Sequence, residues 1–478
     1  MTIKKGEILE IEISDIAFGG KGITRVNDFA LFVDQTVPLD KVRIQITKKK
    51  KNYAEARVIE LLSPSPFRIS MPCKYSGYCG GCKWQFLAYE KQIEYKRQHV
   101  KESLEHIALI KDIPVHPTIP SDLIFGYRNK MEFSCSDKKW LLPEDMGNEG
   151  AENGFALGLH VPGTFHKVLD IEACLLHPEP GNQILNDVRN FIKKSNAPVY
   201  GLRTHEGFWR FLMLRHSVAY NQWMVNIITA SEDRKILQPL ADLLMEKYPQ
   251  QIVSVVNNIT ARKSGVAIGE YEIPLAGQSA LRDRIGKFDF EISANSFFQT
   301  NTRGAERLYQ TVRKYAELTG KETVIDLYSG TGTIAIFLSD AAKEVIAMEI
   351  VESAVADAQK NCQINNISNC RFIQGDIKDS LSKTSEVLKT SEVLAKEVLP
   401  LQPDVMIIDP PRVGMHNDVV KQVLQLAPQR IVYVSCNPAT LARDIAMLKS
   451  RYQVIEVQPV DMFPHTHHIE SVAKLERK

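Results

Sequence analysis

A lone cysteine and a later glutamate are the residues of this sequence best suited to covalent chemistry. Cys436 follows an apolar, β-branched run at 430–434 and stands in Ser435-Cys436-Asn437-Pro438, and Glu470 ends the stretch His465-Thr466-His467-His468-Ile469-Glu470. A thiolate can add to C6 of a pyrimidine ring and make C5 nucleophilic, after which a base must remove the C5 proton. We interpret Cys436 as this nucleophile and Glu470 as this base. The alternative is that Cys436 is a small buried apolar residue, the usual fate of a free cysteine.

Three signals at the predicted ends of strands indicate a nucleoside cofactor. Thr323–Leu327 leads into Tyr328-Ser329-Gly330-Thr331-Gly332-Thr333, where glycines let the backbone approach a ligand closely. The next apolar run ends at Glu349, which is placed to accept hydrogen bonds from ribose hydroxyls. Val405–Ile408 ends in Asp409-Pro410-Pro411-Arg412, a rigid loop whose carboxylate would face the reactive end of the cofactor. A tight turn with a surface glutamate is the alternative, and the shared sheet edge argues against it.

Three cysteines, Cys73, Cys79 and Cys82, lie close together, with two glycines before the last of them. In a long chain without a signal peptide, clustered cysteines favour metal binding over disulfides. Three thiolates need a fourth ligand, and Cys174 is the best-placed distant cysteine. Four thiolates fit a [4Fe-4S] cluster, with zinc as the competing metal. Because the addition of a thiolate to a pyrimidine needs no electron, we expect the cluster to be structural or to position the nucleic acid that carries the pyrimidine.

The order of predicted elements indicates three domains in the 478 residues. Residues 1–62 contain several short strands, typical of an OB-like barrel, and a lysine run at 48–51 that is either a solvated turn or a phosphate contact. Residues 63–285 mix strands and helices, which predicts a central α+β domain that carries the cysteines. From 286 to 478 strands alternate with helices, which predicts an α/β domain with a doubly wound, largely parallel sheet.

The net charge and the pattern of apolar residues say more about where the protein is located than about what it binds. The formal net charge of +2 neither favours nor excludes a nucleic acid, since basic residues can cluster. No apolar run approaches the roughly 20 residues that span a bilayer, and the start has no signal-peptide core. We therefore expect a cytoplasmic protein without a membrane partner. The hexapeptide at 383–388 is repeated at 389–394, which we interpret as a local duplication in a surface helix, without a function.

Taken together and in this order, the motifs resemble those of the bacterial RNA uracil-5 methyltransferases of the tRNA/23S rRNA type. The resemblance covers nearly the whole chain. It implies a class I (Rossmann-like) methyltransferase domain at 286–478, a TRAM barrel at 1–62, a central iron–sulfur and RNA-binding domain, and S-adenosyl-L-methionine as the methyl donor. A TRAM domain together with a [4Fe-4S] cluster implies 23S rRNA as the substrate. A monomer is favoured.

The same resemblance implies roles for individual residues. The cofactor would be bound by Gln299 in Ser296-Phe297-Phe298-Gln299-Thr300-Asn301, and by Tyr328, Glu349, Asp376 and Asp409. Cys436 and Glu470 match the nucleophile and the base, and the cluster ligands would be Cys73, Cys79, Cys82 and Cys174. The chain departs from the family at Pro38-Leu39-Asp40, where Pro-Gly-Glu is frequent, and at Thr333, where many relatives have Asn.

Rival functions remain open at this point. The motifs also fit a tRNA uridine-C5 enzyme, and an RNA cytosine-C5 enzyme would use the same cysteine, so the base is identified by the resemblance and not by the mechanism. An enzyme that methylates a base amine typically has an aromatic residue where Arg412 stands. A non-catalytic iron–sulfur RNA-binding protein would not need both Cys436 and Glu470.

Overall fold

The computed structural model describes residues 3–146, 154–263, 265–381 and 403–478, and the repeated hexapeptide lies outside them. Three sheets and one separate hairpin organise this part of the chain. The helices are α1 Tyr89–His106, α2 Gly181–Lys194, α3 Arg234–Lys247, α4 Thr302–Ala316, α5 Thr333–Leu338, α6 Glu352–Ile364, α7 Asn417–Leu426 and α8 Pro438–Leu448, with a 3₁₀ turn at Pro143–Asp145. Every helix among the described residues is too short or too polar to cross a bilayer.

The N-terminal sheet has six strands in the order β1-β5-β6-β4-β3-β2. Alternating side chains of its longer strands point inward, such as Val42, Ile44 and Ile46 on β5, and form a small apolar core. Lys48 forms an ion pair with Glu55; Lys49, the last residue of β5, and Lys50 and Lys51 after it are exposed. The strands are β1 Ile8–Glu12, β2 Asp15–Ile16, β3 Gly22–Val26, β4 Phe29–Val33, β5 Lys41–Lys49 and β6 Tyr53–Ser63.

The central sheet has seven strands in the order β13-β12-β11-β10-β7-β8-β9, antiparallel except for β11 and β12. Apolar faces of α2 and α3 pack on it and exclude water from one side. The strands are β7 Lys130–Ser136, β8 Ala156–His160, β9 Val168–Asp170, β10 Trp209–Ser217, β11 Gln222–Thr229, β12 Ile252–Ile259 and β13 Tyr271–Gly277.

Two elements cross the domain boundaries expected from the sequence. Helix α1 belongs to the predicted central domain, but its buried Val100 and Leu104 join the core of the C-terminal sheet. The hairpin of β14 (Ala280–Ile285) and β15 (Phe288–Ser293) spans residue 285, and Phe290 packs into the other face of the same sheet. Both elements bury an apolar face, and sequence alone does not say against which sheet.

The C-terminal sheet has the order β18-β17-β16-β19-β20-β22-β21, with β16 to β20 parallel and the last two strands antiparallel. Helices cover both faces, so the predicted doubly wound, largely parallel sheet is confirmed. Strand order reverses between β16 and β19, which opens a crevice at their carboxyl ends. The strands are β16 Thr323–Leu327, β17 Glu344–Glu349, β18 Cys370–Gln374, β19 Val405–Ile408, β20 Arg430–Ser435, β21 Tyr452–Val460 and β22 Glu470–Arg477.

Candidate active site

A cavity of about 1030 Å³ opens at this crevice and gathers most of the residues singled out in the sequence. Its walls include Gln299, Tyr328, Glu349, Asp409, Cys436 and Glu470. Asp376 is not among its lining residues. It is exposed in the turn after β18, where its carboxylate accepts a hydrogen bond from the Lys378 amide, although it is close enough to act electrostatically on Tyr328.

The glycine loop after β16 forms one wall of the cavity. Gly332 has a φ of +73°, and a Cβ there would lie 2.7 Å from the ring of Phe372, so a larger residue would displace the loop. The amides of Gly330 and Val351 each donate to a different oxygen of Glu349, both at 2.9 Å. The carboxylate is thus fixed at the cavity wall, and its remaining lone pairs can accept from ribose hydroxyls.

Gln299 is held by the central domain. Its carbonyl oxygen accepts from the side-chain amide of Asn129 at 2.8 Å, and the Asn129 amide donates to the Thr300 oxygen at 2.8 Å. Asn301 then caps α4 by accepting from the Gly304 amide at 2.9 Å. This arrangement gives Asn129, in the segment that precedes and begins β7, a structural role in holding Gln299.

Cys436 lies between the end of β20 and the start of α8. Asn437 caps that helix by accepting from the Ala439 amide at 3.0 Å, and Pro438 occupies its first turn. The side chains of Asn437 and Thr440 both donate to the Arg412 carbonyl oxygen at 3.3 Å. The thiol loop and the Asp-Pro-Pro-Arg loop are therefore tied together, which keeps Arg412 beside Cys436.

Burial shifts the proton affinities of the cavity's acidic groups. It raises the pKa of Asp409 to about 7, although this side chain keeps some contact with the cavity, and it raises the pKa of Glu470 to about 8. For Glu470 the charge of Asp409 adds to burial, and Arg412 opposes both. Burial raises the pKa of the Cys436 thiol to about 11, the negative charge of Glu470 adds to this shift, and the positive charge of Arg412 opposes it. A bound cation would favour the ionised forms of all three groups.

Several residues of the cavity were missed in the sequence. Arg412 entered only as a contrast to amine methyltransferases, yet it is the cation that lowers the pKa of both Cys436 and Glu470. Asp326 is 1% exposed, neither oxygen has a hydrogen-bond partner within normal distance, and burial raises its pKa well above the usual value. The sequence signal that could have identified Asp326 is a carboxyl group near the end of an otherwise apolar strand. Phe297 lines the cavity with 67% of its surface exposed.

The segment that leads to Glu470 is held from the region around α1. The amides of Lys83 and Trp84 donate to the His465 carbonyl oxygen at 2.8 and 3.0 Å, and the His465 amide donates to Gln92 Oε1 at 2.8 Å. Lys96 Nζ contacts Asp461 Oδ1 at 2.7 Å, and both side chains are fully buried. His465 itself has a φ of +63°, a conformation that these contacts must maintain.

The buried Lys96–Asp461 ion pair yields a test of this arrangement. Lys96→Met should lower the free energy of unfolding by about 3–5 kcal/mol, because it leaves the Asp461 carboxylate buried without its cation. The double variant Lys96→Met/Asp461→Leu should recover most of that loss. Urea denaturation of the three proteins measures both changes. Equal stability of Lys96→Met and wild type would contradict the assignment.

A second cavity, of about 260 Å³, is lined by the thiols of Cys73, Cys79, Cys82 and Cys174. All four cysteines are free, and burial raises the pKa of Cys79 and of Cys82 to about 12, with smaller contributions from neighbouring thiols. Among the residues the structure describes, no three or more His, Cys, Asp or Glu side chains are grouped so as to hold a metal ion. Gly81, Arg128 and Thr300 line both this cavity and the larger one.

Known proteins with similar sequences are RNA methyltransferases. Residues 214–478 match the family described as tRNA (Uracil-5-)-methyltransferase, and residues 3–59 match the TRAM domain. A Chlorobaculum tepidum protein described as an uncharacterised RNA methyltransferase is 43% identical over 479 residues, which cover 99% of this chain and 97% of that protein. A Bacteroides thetaiotaomicron protein with the same description is 41% identical over 467 residues, covering 96% of this chain and 100% of that protein.

A solved structure has the same architecture over almost the entire chain. The Pyrococcus abyssi tRNA (uracil-54, C5)-methyltransferase in complex with S-adenosyl-L-homocysteine matches with a TM-score of 0.74 and 28% identity, covering 98% of this chain and 100% of that one. The C-terminal domain therefore has the class I methyltransferase fold, and the N-terminal sheet is a TRAM domain. The resemblance in the motifs is confirmed: the chain belongs to the tRNA (uracil-5-)-methyltransferase family and is an RNA methyltransferase.

Proposed function

We propose that the protein methylates C5 of a uridine in 23S rRNA, with S-adenosyl-L-methionine as the methyl donor. The observation that carries the proposal is one cavity holding a cysteine thiol, a buried carboxyl and the residues expected to bind the donor. Cys436 and Glu470 are on its wall with Gln299, Tyr328 and Glu349. A nucleophile and a base in a single cleft are what methylation of an unactivated pyrimidine carbon requires.

The proposed reaction begins and ends at Cys436. Its thiolate adds to C6 of the uracil. The π electrons of the C5–C6 bond then form an enolate, which makes C5 nucleophilic. S-adenosyl-L-methionine supplies a sulfonium methyl group, which C5 takes as the S–CH₃ bond breaks. Glu470 then removes the C5 proton, the double bond re-forms, and the C6–S bond breaks to release the Cys436 thiolate. Arg412 stabilises the thiolate form of Cys436 and the ionised form of Glu470.

The choice of RNA is tested by product analysis. Support for 23S rRNA comes from the pairing of a TRAM domain with a four-cysteine cavity, and tRNA is the second candidate because the similar Pyrococcus abyssi enzyme acts on tRNA uracil-54. We expect 5-methyluridine in a 23S rRNA transcript and none in tRNA transcripts, measured by nucleoside mass spectrometry. Methylation of tRNA alone would replace the proposed substrate, and 5-methylcytidine would replace the proposed base.

The rate of adduct breakdown should depend on the ionisation of Glu470. With a pKa of about 8, the carboxyl is mostly protonated at neutral pH, and only its ionised form accepts the C5 proton. The methyl donor has by then lost its positive charge, so it no longer favours ionisation. In a single turnover, adduct decay should accelerate about tenfold per pH unit below about pH 8 and level off above it. A rate that stays constant from about pH 6 to about pH 9 would contradict this role for Glu470.

We further propose that Cys73, Cys79, Cys82 and Cys174 hold a [4Fe-4S] cluster. The donor set fits, since four unpaired thiols face one cavity and a cluster is wider than a single ion. The cluster would be structural, because Cys82 directly precedes the two amides that bind His465. Protein purified without oxygen should contain about four irons and four sulfides per chain, and Cys82→Ala should lose them. Stoichiometric zinc in place of iron would contradict the cluster.

A further inference from the structure

The turn between β8 and β9 presents an unburied aromatic ring. The Val161 amide donates to the Lys167 carbonyl oxygen at 3.0 Å and closes the turn, and Gly163 adopts a φ of +71° near its tip. Phe165 is 70% exposed. A lone exposed apolar residue is ordinary on a protein surface, so the groups around this ring decide what it means.

Phe165 has an aromatic neighbour and cationic residues nearby in the turn. The ring of His166 lies 4.9 Å away in an edge contact, and Arg203 Nη2 donates to His166 Nε2 at 2.6 Å. Lys167 Nζ lies 4.0 Å from the ring centroid of Trp140. No acidic residue occurs in 161–167, whereas Glu206 follows the Arg203 segment and an oxygen of Asp137 lies 3.3 Å from where a Cβ on Gly201 would be. An exposed aromatic face beside cations is typical of sites for single-stranded nucleic acid.

The same turn adjoins the catalytic cavity. The Gly80 amide donates to the His160 carbonyl oxygen at 3.0 Å, at the residue where β8 ends. Gly80 and Gly81 in turn line the cavity that contains Cys436. A Cβ on Gly80 would lie 3.0 Å from the same His160 oxygen, so strand and loop are in close contact there. The turn therefore begins next to a residue that lines the cavity.

We propose that the β8–β9 turn binds single-stranded RNA by stacking an unpaired base, next to the target uridine, on Phe165. The proposal rests on the proposed function for the identity of the substrate. A uridine that enters the cavity must leave its base stack, and the neighbouring base then loses a stacking partner. Phe165 replaces that partner, and Arg203 and Lys167 contact the adjoining phosphates.

RNA affinity of Phe165 variants tests the proposal. The probe is a fluorescent single-stranded oligonucleotide with one uridine among adenosines, and binding is measured by anisotropy with S-adenosyl-L-homocysteine present, so that no methyl transfer occurs. Phe165→Ala should weaken binding about 5- to 100-fold, and Phe165→Leu should weaken it similarly, because neither offers a π-face. Phe165→Trp should bind like the wild type. The matched control is Tyr271→Ala, which removes an exposed aromatic ring from the opposite edge of the same sheet and should change nothing.

Three outcomes would overturn the proposal: no binding of the probe by the wild type, affinities of Phe165→Ala and Phe165→Leu within twofold of the wild type, or an equal loss in Tyr271→Ala. Thermal unfolding and the S-adenosyl-L-homocysteine affinity of each variant separate a local effect from misfolding. If Phe165→Ala does not fold, the test compares Phe165→Leu with Phe165→Trp. This binding measurement does not require methyl transfer to occur. Failure of the proposed function would appear instead as a wild type that binds the probe but forms no 5-methyluridine in any RNA.

Discussion

Glu470→Gln is expected to stop the reaction after methyl transfer, so that methylated RNA stays covalently attached to Cys436. Glutamine keeps the size of the side chain but cannot accept the C5 proton, and the C6–S bond breaks only after that proton has left. Turnover should fall by about 10²- to 10⁴-fold, the usual contribution of a general base. Denaturing electrophoresis with labelled RNA should show an adduct that persists in the variant and decays in the wild type.

The matched control for this prediction is Glu456→Gln. Glu456 lies on β21, next to the strand that begins with Glu470, and it accepts from His116 Nε2 at 2.7 Å and from the Tyr315 hydroxyl at 3.1 Å outside the cavity. This change should leave adduct decay unchanged. A Glu470→Gln enzyme that releases its product at the rate of the wild type would show that another group removes the proton. Asp409, whose pKa of about 7 is suitable, would then be the first candidate.

The second large effect is expected for Cys436→Ala. Without the thiolate, C5 remains a poor nucleophile, so methylation should fall by about 10³-fold or more while binding of RNA and of S-adenosyl-L-methionine persists. Nucleoside mass spectrometry measures the product, and calorimetry measures both affinities. Cys362→Ala is the control, because it removes a buried thiol on α6 away from the cavity. Retention of methylation in Cys436→Ala would exclude covalent catalysis.

The sequence could predict that most candidate site residues of the C-terminal domain meet in one place, because their signals are local. Glu349, Asp409 and Cys436 each follow an apolar run, and in a parallel sheet the carboxyl ends of such runs meet at one edge. One geometric rule therefore gathers residues that are far apart in the chain. Asp376 follows the outermost strand β18, and the same rule carries it toward the edge but not to the wall of the cavity.

Features made by contacts between distant segments could not be predicted in this way. Helix α1 has an apolar face, but nothing local states that this face packs on the C-terminal core or that Lys96 there meets Asp461. The role of Asn129 in holding Gln299 likewise depends on the docking of two domains. The importance of Arg412 depends on its position near Cys436 and Glu470. That position is fixed by a hydrogen bond from Asn437, the residue that caps α8, to the Arg412 carbonyl oxygen. Such residues appear in the sequence as ordinary polar positions.

The two cavities share a wall, which links the cysteine loop to catalysis. Arg128 lines both, and the residues that follow Cys82 bind the segment that carries Glu470. Any change that moves the four thiols would therefore be transmitted to the base and to the backbone around Gln299.

Covalent attachment of Cys436 to C6 of the target uridine is the central claim, and a mechanism-based trap tests it most directly. The protein is incubated with S-adenosyl-L-methionine and a 23S rRNA transcript that contains 5-fluorouridine, then denatured and separated by electrophoresis. Fluorine at C5 cannot leave as a proton, so a stable adduct should appear, be absent in Cys436→Ala, and map to Cys436 by mass spectrometry of the digested band. The absence of an adduct, with RNA and methyl donor both bound and a tRNA transcript equally unreactive, would contradict the proposed chemistry.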